Sequence, residues 1–283
     1  MQVLAGLGLG AALLVAGCGG GSVAAVPPAT QGSFPHAGAE PAGEAGRTVV
    51  SGAPSFEDTM EFADAARWQA SRWNNGGHFL NGWHPEQLAF HDGRLLITLE
   101  ADTQSRSGMS CVSGEYRSLQ RHGHGFYEAR LMASGTPGTV TAFFLYTGPA
   151  EGTRHDEIDV EIKGDDPTRL HLNYWSDGVE HPSVVPLGFD ASAAFHDYAF
   201  RWTATGIQWF VDGRLVHEES GARGPLPHLP GYLMLSLWGA TGTGAWSSDY
   251  QVTDRPSQAA VERVRFEAEA APAERLRLQA GLR

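Results

Sequence analysis

The sequence predicts an all-β protein in which antiparallel strands form a sandwich. Between residues 95 and 266, apolar and polar residues alternate in short runs, the pattern of a strand with one buried and one wet face. Turn signals separate these runs at intervals of roughly ten residues, and helical patterns are few. The sequence shows no internal repeat.

Each predicted strand is bounded by turn residues. Leu95–Leu99 follows Asp92-Gly93, and the turn Asp212-Gly213 predicts a tight hairpin between the seventh and eighth strands. Residues 57–68 allow either a short helix or an irregular segment. In chain order the predicted strands are Leu95–Leu99, Phe126–Met132, Val140–Tyr146, Glu157–Ile162, Leu170–Trp175, His196–Trp202, Ile207–Val211, Arg214–Glu218, Tyr232–Trp238 and Ala260–Phe266.

Composition limits the possible partners. The 283 residues carry 32 Asp and Glu against 20 Lys and Arg, and no basic cluster interrupts this acidic balance. A nucleic-acid partner is therefore not expected. The 8 Trp residues suit flat, neutral ligands such as sugars, although an aromatic side chain can equally belong to the core. A monomer is expected.

The N-terminal segment predicts export. Residues 2–17 form an apolar run that is too short to span a bilayer and is typical of a signal peptide. The run ends in Val15-Ala16-Gly17-Cys18, which resembles a bacterial lipobox, although Met1-Gln2 lacks the usual Lys or Arg. The expectation is an exported bacterial lipoprotein, periplasmic or on the cell surface, anchored to the membrane by a lipid on Cys18. Cys111 would then have no disulfide partner within the chain.

Four regions follow from these patterns. Residues 1–17 are predicted as the signal peptide, and residues 18–54, rich in Gly, Ala and Pro, as a disordered tether. Residues 55–268 form the predicted globular domain. Residues 269–283 are a C-terminal tail, either frayed or a short helix.

The acidic strand has the clearest chemistry. Glu157, Asp159 and Glu161 alternate with Ile158, Val160 and Ile162. Like charges on neighbouring positions of one face repel and raise one another's pKa, an arrangement that stability alone does not favour. Glycoside hydrolysis needs such a pair, one carboxyl ionised and one protonated. A solvated acidic face is the simpler alternative, and a metal site is less favoured because a flat strand wraps poorly around an ion.

The acidic strand resembles the Glu-x-Asp-x-Glu motif of glycoside hydrolase family 16, and the resemblance spans residues 72 to 267. It is strongest to the bacterial β-1,3-1,4-glucanases (licheninases) and to endoglycanases that trim bacterial exopolysaccharides. It implies a concanavalin A-like β-jelly roll with a substrate cleft on the concave face, and it makes residues 55–268 a catalytic domain. The matching segments are Phe143–Pro149, Glu157–Glu161, Asn173–Trp175, Leu187–Ala191, His196–Phe200 and Trp209–Gly213.

Spacing within the motif separates subfamilies. Laminarinase-like members of the family carry one more residue between the Asp and the second Glu, which makes a β-bulge. Asp159-Val160-Glu161 has no such insertion. The resemblance therefore implies a regular strand, as in the licheninase-like members.

The resemblance also implies the catalytic roles. Glu157 is expected to be the nucleophile, Glu161 the general acid/base, and Asp159 the residue that tunes both. Four residues of strand separate the two Glu Cα atoms by about 13 Å, whereas retaining chemistry needs carboxyl groups about 5–5.5 Å apart and inverting chemistry about 6.5–9.5 Å. Retention is implied only by the resemblance. The negative charges of Glu157 and Asp159 are expected to help Glu161 keep its proton.

Sugar-binding residues are implied in the same way. Without the resemblance, Glu115 and Arg117 could equally form a surface ion pair, and each aromatic residue alone could belong to the core. The expected contacts are Asn75, Glu115, Arg117, Phe144, Tyr146, His155, Asn173, Trp175, Trp238 and Trp246.

Two departures from the licheninase pattern leave alternatives open. His155 stands where those enzymes usually have Trp; it could bond a sugar hydroxyl or pack against Asp156. Glu262 aligns with an Asp that helps to hold a structural Ca²⁺ in licheninases. Whether this chain binds a structural Ca²⁺ is therefore left open, and no cofactor is expected to be required for activity.

His122 and His124 have strand-like spacing for a metal but no evident third ligand, and loop histidines are the favoured interpretation.

The predicted function is a retaining endo-β-glucanase that hydrolyses β-1,3-1,4-glucan or a similar β-glucan. Three other enzymatic or binding roles remain: a depolymerase of succinoglycan-type exopolysaccharide, a β-glucan transglycosylase, and a non-catalytic glycan-binding module. The motif is intact, with Glu157, Asp159 and Glu161 all present. This disfavours a non-catalytic binding module and a purely structural lipoprotein.

Overall fold

A computed structural model describes residues 53–269, which form two facing sheets of ten and eight strands. Short 3-10 turns occur at Pro85–Gln87 and Pro149–Glu151. Among the described residues, no helix has the length and apolar character needed to cross a membrane. The strands are β1 Phe56–Asp58, β2 Trp68–Ala70, β3 Asn81–Trp83, β4 Leu88–His91, β5 Arg94–Ala101, β6 Cys111–Ser113, β7 Glu115–His122, β8 Gly125–Met132, β9 Thr139–Thr147, β10 Asp156–Lys163, β11 Arg169–Ser176, β12 Val179–Glu180, β13 Ser183–Pro186, β14 His196–Thr203, β15 Gly206–Val211, β16 Arg214–Glu219, β17 Gly231–Gly239 and β18 Ser257–Ala268.

The sheets are built from strands that are distant in sequence. The ten-stranded sheet has the order β16-β15-β14-β8-β18-β5-β6-β3, with β1 beside β18 and β4 beside β5. The eight-stranded sheet has the order β12-β11-β10-β9-β17-β7-β2, with β13 beside β11. All of these pairings are antiparallel except that of β3 with β6. Late strands β17 and β18 thus lie in the middle of the sheets and join early and late parts of the chain.

The ten strands predicted from the sequence are all present, and the all-β sandwich is confirmed. Residues 59–67 contain turns between β1 and β2, so this segment is irregular rather than helical. The strand β7 was missed because its first four residues are buried on both faces, which removes the alternation that marks a half-exposed strand.

The core lies between the sheets and holds the acidic strand β10 by its inner face. Ile158, Val160 and Ile162 of β10 are at most 2% exposed and belong to the same buried cluster as Phe200 and Trp209 of the opposite sheet. Burying one such side chain stabilises a fold by about 1.5–3 kcal/mol. These three residues therefore hold the alternate residues of β10 on the outer face.

The predicted signal peptide at residues 1–17, the lipidation site Cys18, nearly all of the tether at 18–54 and the tail beyond Glu269 lie outside the described residues. Cys111 lies within them as a buried free cysteine. Burial raises the pKa of its thiol to about 11, which leaves it protonated and unreactive at neutral pH.

Candidate active site

A cleft crosses the outer face of the eight-stranded sheet, and all three residues of the acidic motif line it. Its lining combines carboxylates, one arginine and a ring of aromatic side chains, a surface suited to a polyhydroxylated, ring-shaped ligand. The lining residues are Trp73, Asn75, Phe79, Glu115, Arg117, Ala142, Phe144, Tyr146, Ala150, Glu151, Glu157, Asp159, Glu161, Asn173, Trp175, Met234, Ser236 and Trp238.

The acidic strand is regular. β10 pairs with β9 from Asp156 to Lys163 without a shift of register, so Glu157, Asp159 and Glu161 share one face. The expectation of a strand without a bulge is confirmed.

Cross-strand neighbours surround each carboxyl group. Directly opposite residues on one face have Cβ atoms about 4.5–5.5 Å apart, close enough for their side chains to interact. The expected contacts Tyr146, Phe144, Asn173 and Trp175 are thereby brought beside the acidic residues. The three rows across β11, β10 and β9 are Trp175–Glu157–Tyr146, Asn173–Asp159–Phe144 and His171–Glu161–Ala142.

The carboxyl groups differ in their affinity for protons. Burial, and then the charge of Glu157, raise the pKa of Glu161 to about 8, while Lys163 acts to lower it. Burial and the charges of Glu157 and Glu161 raise the pKa of Asp159 well above its ordinary value. Burial, rather than the charge of Asp159, is therefore the main reason why Glu161 holds its proton.

Glu115 and Arg117 do not form the surface ion pair considered above. Both are buried, and the Arg117 guanidinium pairs with Glu151 at 3.1 Å and lies over the ring of Tyr232 at 3.7 Å. Glu115 accepts a hydrogen bond from Ser71 Oγ at 2.6 Å. Burial raises the pKa of Glu115 to about 7.

Asn75 and Trp238 line the cleft as expected, and each is held by an aromatic neighbour. The Trp83 indole donates to the Asn75 side-chain oxygen at 3.1 Å, and the rings of Trp238 and Phe79 lie 4.5 Å apart. Trp246 is not part of the cleft lining that the structure describes. It stacks on Trp238 with ring centroids 5.8 Å apart and nearly parallel planes.

Lys163 supports this tryptophan stack from the acidic strand. Its ammonium group donates to the main-chain oxygen of Trp246 and lies 4.9 Å from the centre of that ring. Lys163 and Glu161 are two residues apart on β10 and therefore share its outer face.

His155 has a partner that neither sequence-based alternative anticipated. Its Nε2 lies 2.6 Å from Glu157 Oε2, and its ring stacks on Trp175 with centroids 4.6 Å apart. Asp156 instead accepts main-chain N–H groups, from Asp177 at 3.0 Å and from His228 at 2.7 Å.

The sequence reasoning missed several cleft residues. Met234 and Ser236 alternate with Trp238 along β17, so counting back by two from that tryptophan would have found them. Glu151 lies on a 3-10 turn, where no periodic signal exists, although its ion pair with Arg117 orders the cleft wall. Trp73 and Phe79 lie in irregular segments on either side of Asn75.

The residues near Glu262 do not fit a calcium ion. The Glu262 carboxylate binds Arg130 Nε at 3.0 Å, so a guanidinium group occupies the position expected for the Ca²⁺ ion. Among the described residues, Asp156, Asp177 and His228 lie close enough together to share an ion. However, main-chain N–H groups already occupy both oxygens of Asp156, and Arg154 binds Asp177 at 2.8 Å.

Comparison with known proteins gives consistent matches. The sequence profile of the family "Glycosyl hydrolases family 16" matches residues 68–256. The β-glucanase of Paenibacillus polymyxa is 38% identical over 198 residues, which cover 69% of this chain and 80% of that protein. The β-glucanase of Paenibacillus macerans is 39% identical over 198 residues, with 69% and 81% covered.

Solved structures share the fold. Bacillus licheniformis β-glucanase superimposes with a TM-score of 0.72 at 33% identity, covering 77% of this chain and all of that one. The catalytic domain of a laminarinase from Thermotoga petrophila gives 0.65 at 19% identity, covering 76% and 97%, which is evidence for the fold alone. The jelly-roll architecture is thereby confirmed.

Proposed function

The chain belongs to glycosyl hydrolase family 16, and from this membership we propose that it is a retaining endo-β-glucanase acting on β-1,3-1,4-glucan. It is a glycoside hydrolase with a jelly-roll fold. One observation carries the proposal: Glu157 and Glu161 share the outer face of β10 inside an aromatic-lined cleft. Burial keeps the proton on Glu161, as the acid of such a pair requires.

In the proposed first step, the Glu157 carboxylate attacks the anomeric carbon. The bond from that carbon to the leaving sugar oxygen breaks as Glu161 gives this oxygen its proton. The product is a glycosyl ester of Glu157, and Glu161 is left ionised.

In the second step, water attacks the same carbon and releases Glu157. Esterification has removed the negative charge of Glu157, one of the causes that raise the pKa of Glu161. The pKa of Glu161 is therefore lower than before esterification, and its carboxylate takes a proton from the incoming water. Two displacements at one carbon return the sugar to its original configuration.

The cleft walls supply the proposed sugar contacts. Trp175, Tyr146 and Trp238 offer flat faces, and Asn173 projects from the strand beside Asp159. Arg117, ordered by Glu151, offers donors to sugar hydroxyl groups. A site built to bind hydroxyl groups discriminates against sugars that lack them.

Two observations support β-1,3-1,4-glucan as the substrate. A solved β-1,3-1,4-glucanase (lichenase) derived from a mouse hindgut metagenome is 33% identical to this chain and superimposes with a TM-score of 0.72, covering 76% of this chain and all of that one. Its acidic strand also lacks the extra residue expected of laminarinase-like members. Exopolysaccharide cleavage and transglycosylation are the alternatives that the test must separate.

The test is a panel digestion of lichenan, laminarin, xyloglucan and a succinoglycan-type polymer with chromatographic analysis of products. Lichenan should give short oligosaccharides with an early fall in viscosity, and NMR of the first products should show the β anomer. Activity on laminarin alone would contradict the proposed substrate, and an α anomer would contradict the mechanism. Longer products in the presence of acceptor sugars would indicate transglycosylation.

We further propose that the enzyme is an exported monomer, anchored at the periplasmic face or cell surface by a lipid on Cys18. The support is the apolar run at 2–17 followed by Val15-Ala16-Gly17-Cys18. The full chain should partition into detergent and the Cys18→Ala variant should not, and sedimentation should give the monomer mass for the soluble domain. Detergent partitioning that is unchanged by the substitution would contradict the anchor.

A further inference from the structure

His155 contacts the proposed nucleophile directly. Its Nε2 lies 2.6 Å from Glu157 Oε2, and the two side chains are 16% and 13% exposed. A carboxylate that is ionised for attack has no hydrogen to donate, so the hydrogen of this bond must lie on Nε2. Because water has little access to the pair, the bond is screened less than an exposed one.

Two aromatic side chains hold the imidazole ring in place. The Trp175 ring is stacked with its centroid 4.6 Å away and its plane tilted by 20°, and the Tyr146 ring lies 5.4 Å away. Trp175 and Tyr146 are also the cross-strand neighbours of Glu157. The rings that flank the nucleophile thus also orient the donor that binds it.

We propose that His155 is a positioning residue that fixes the reactive orientation of the Glu157 carboxylate, an inference that rests on the proposed role of Glu157. The Nε2–H group holds Oε2 and so fixes the plane of the carboxylate, in which the other oxygen, Oε1, forms the bond to the anomeric carbon. When water later breaks that bond, the electron pair returns to the carboxylate and the same N–H group stabilises the restored charge. His155 keeps its hydrogen throughout, so the two steps balance without it.

A second His-x-Glu pair provides a matched comparison. His217 Nε2 lies 2.8 Å from Glu219 Oε1, with the same spacing of two residues and with Trp209 at 5.5 Å. This pair is on β16, in the ten-stranded sheet, whereas the cleft lies on the eight-stranded sheet. Substituting His217 therefore removes a similar bond away from the cleft.

The test measures kcat and KM on lichenan, together with the melting temperature, for the full chain and four variants. His155→Phe keeps an aromatic ring but loses the donor, and we expect kcat to fall by roughly 10- to 100-fold with little change in KM. His155→Gln, whose amide N–H can reach Oε2, should recover most of that loss. His155→Asn, whose amide is shorter, should not. His217→Phe should keep the wild-type kcat.

Several results would overturn the inference. A folded His155→Phe variant with the wild-type kcat contradicts the inference. Equal kcat values for the His155→Gln and His155→Asn variants also contradict it. If the His155→Phe variant does not fold, the comparison of the Gln and Asn variants is the test. These results count against His155 alone when the wild type is active and Glu157→Ala is inert. A folded wild type that is inert on every β-glucan overturns the proposed function, and this inference with it.

Discussion

The indole N–H of Trp209 donates a hydrogen bond to the main-chain oxygen of Asp159 at 3.1 Å. Trp209 lies on β15 in the ten-stranded sheet, and Asp159 is the middle acidic residue of β10 in the eight-stranded sheet. Both residues are buried. The bond therefore crosses the core and ties the catalytic strand to the opposite sheet.

Trp209→Phe should lower both stability and turnover. It leaves a buried carbonyl oxygen without this donor and removes apolar volume, at a cost of about 3 kcal/mol in the free energy of unfolding. The catalytic strand also loses a restraint, so kcat should fall severalfold. Urea unfolding and steady-state kinetics on lichenan measure the two effects.

Trp202→Phe is the matched control for that substitution. Trp202 is equally buried in the same sheet, but its indole donates to the main-chain oxygen of Pro227 at 3.2 Å. We expect a similar loss of stability with the wild-type kcat. Equal losses of kcat in the two variants would show that the Trp209–Asp159 bond has no particular role in positioning β10.

The fall of kcat/KM at alkaline pH, the alkaline limb of the pH profile, should follow the loss of the proton from Glu161. The general acid works only when protonated, and burial together with the charge of Glu157 raises the pKa of Glu161 to about 8. Activity should therefore decline as the pH rises through about 8. Lys163 acts to lower the pKa of Glu161, so Lys163→Met should move the limb to higher pH.

Lys163→Arg is the control for the pH profile, because it keeps the positive charge and donors for the Trp246 carbonyl. Its limb should stay at the wild-type position in profiles of kcat/KM against pH on lichenan. A Lys163→Met limb that stays in place, or moves to lower pH, would contradict the assignment of the limb to Glu161.

The alternation of apolar and polar residues predicted the all-β sandwich and the faces of the strands that line the cleft. Alternation in β9, β10 and β11 placed Phe144, Glu157 and Asn173 on one face, because side chains of a strand alternate between its two sides. The motif Glu157–Glu161 then fixed the register of the acidic residues. The faces of the strands needed only local sequence and the period of two, whereas the assignment of these residues to a sugar-binding cleft came from the resemblance to glycoside hydrolase family 16.

What the sequence could not provide is the identity of partners across the fold. His155 binds Glu157 because Trp175, from the next strand, supports its ring. Arg117 is ordered by Glu151, which lies 34 positions away along the chain on a 3-10 turn. Likewise, the raised pKa of Asp159 follows mainly from burial, a quantity that no sequence pattern reports. Such features depend on the packing of distant segments.

Glu115 should make the protein less stable as the pH rises. Burial raises its pKa from 4.5 to about 7 in the folded state, so the folded state binds the proton more tightly than the unfolded chain does. Its stabilising contribution is complete below about pH 4.5 and is lost as the pH rises to about 7. Glu115→Gln, which cannot ionise, should reduce the decline by up to about 1.4 kcal/mol per pH unit.

Urea unfolding at intervals between pH 5 and pH 8 measures this slope. Glu218→Gln, which removes an exposed carboxyl group on β16, is the control for the loss of one acidic side chain. Glu115→Gln and wild-type curves that run parallel over this range would show that the Glu115 carboxyl does not hold its proton in the folded state.

Removing each catalytic carboxylate should have a distinct chemical outcome. Glu157→Ala should lose hydrolysis of an aryl β-glucan oligosaccharide, and added azide should enter the vacated space and attack the anomeric carbon once. A single displacement gives the α-glycosyl azide, which NMR identifies. Glu161→Ala keeps the nucleophile, so azide attacks the glycosyl ester in a second displacement and gives the β-glycosyl azide. The same anomer from both variants would mean that the two glutamates do not have the separate roles assigned to them.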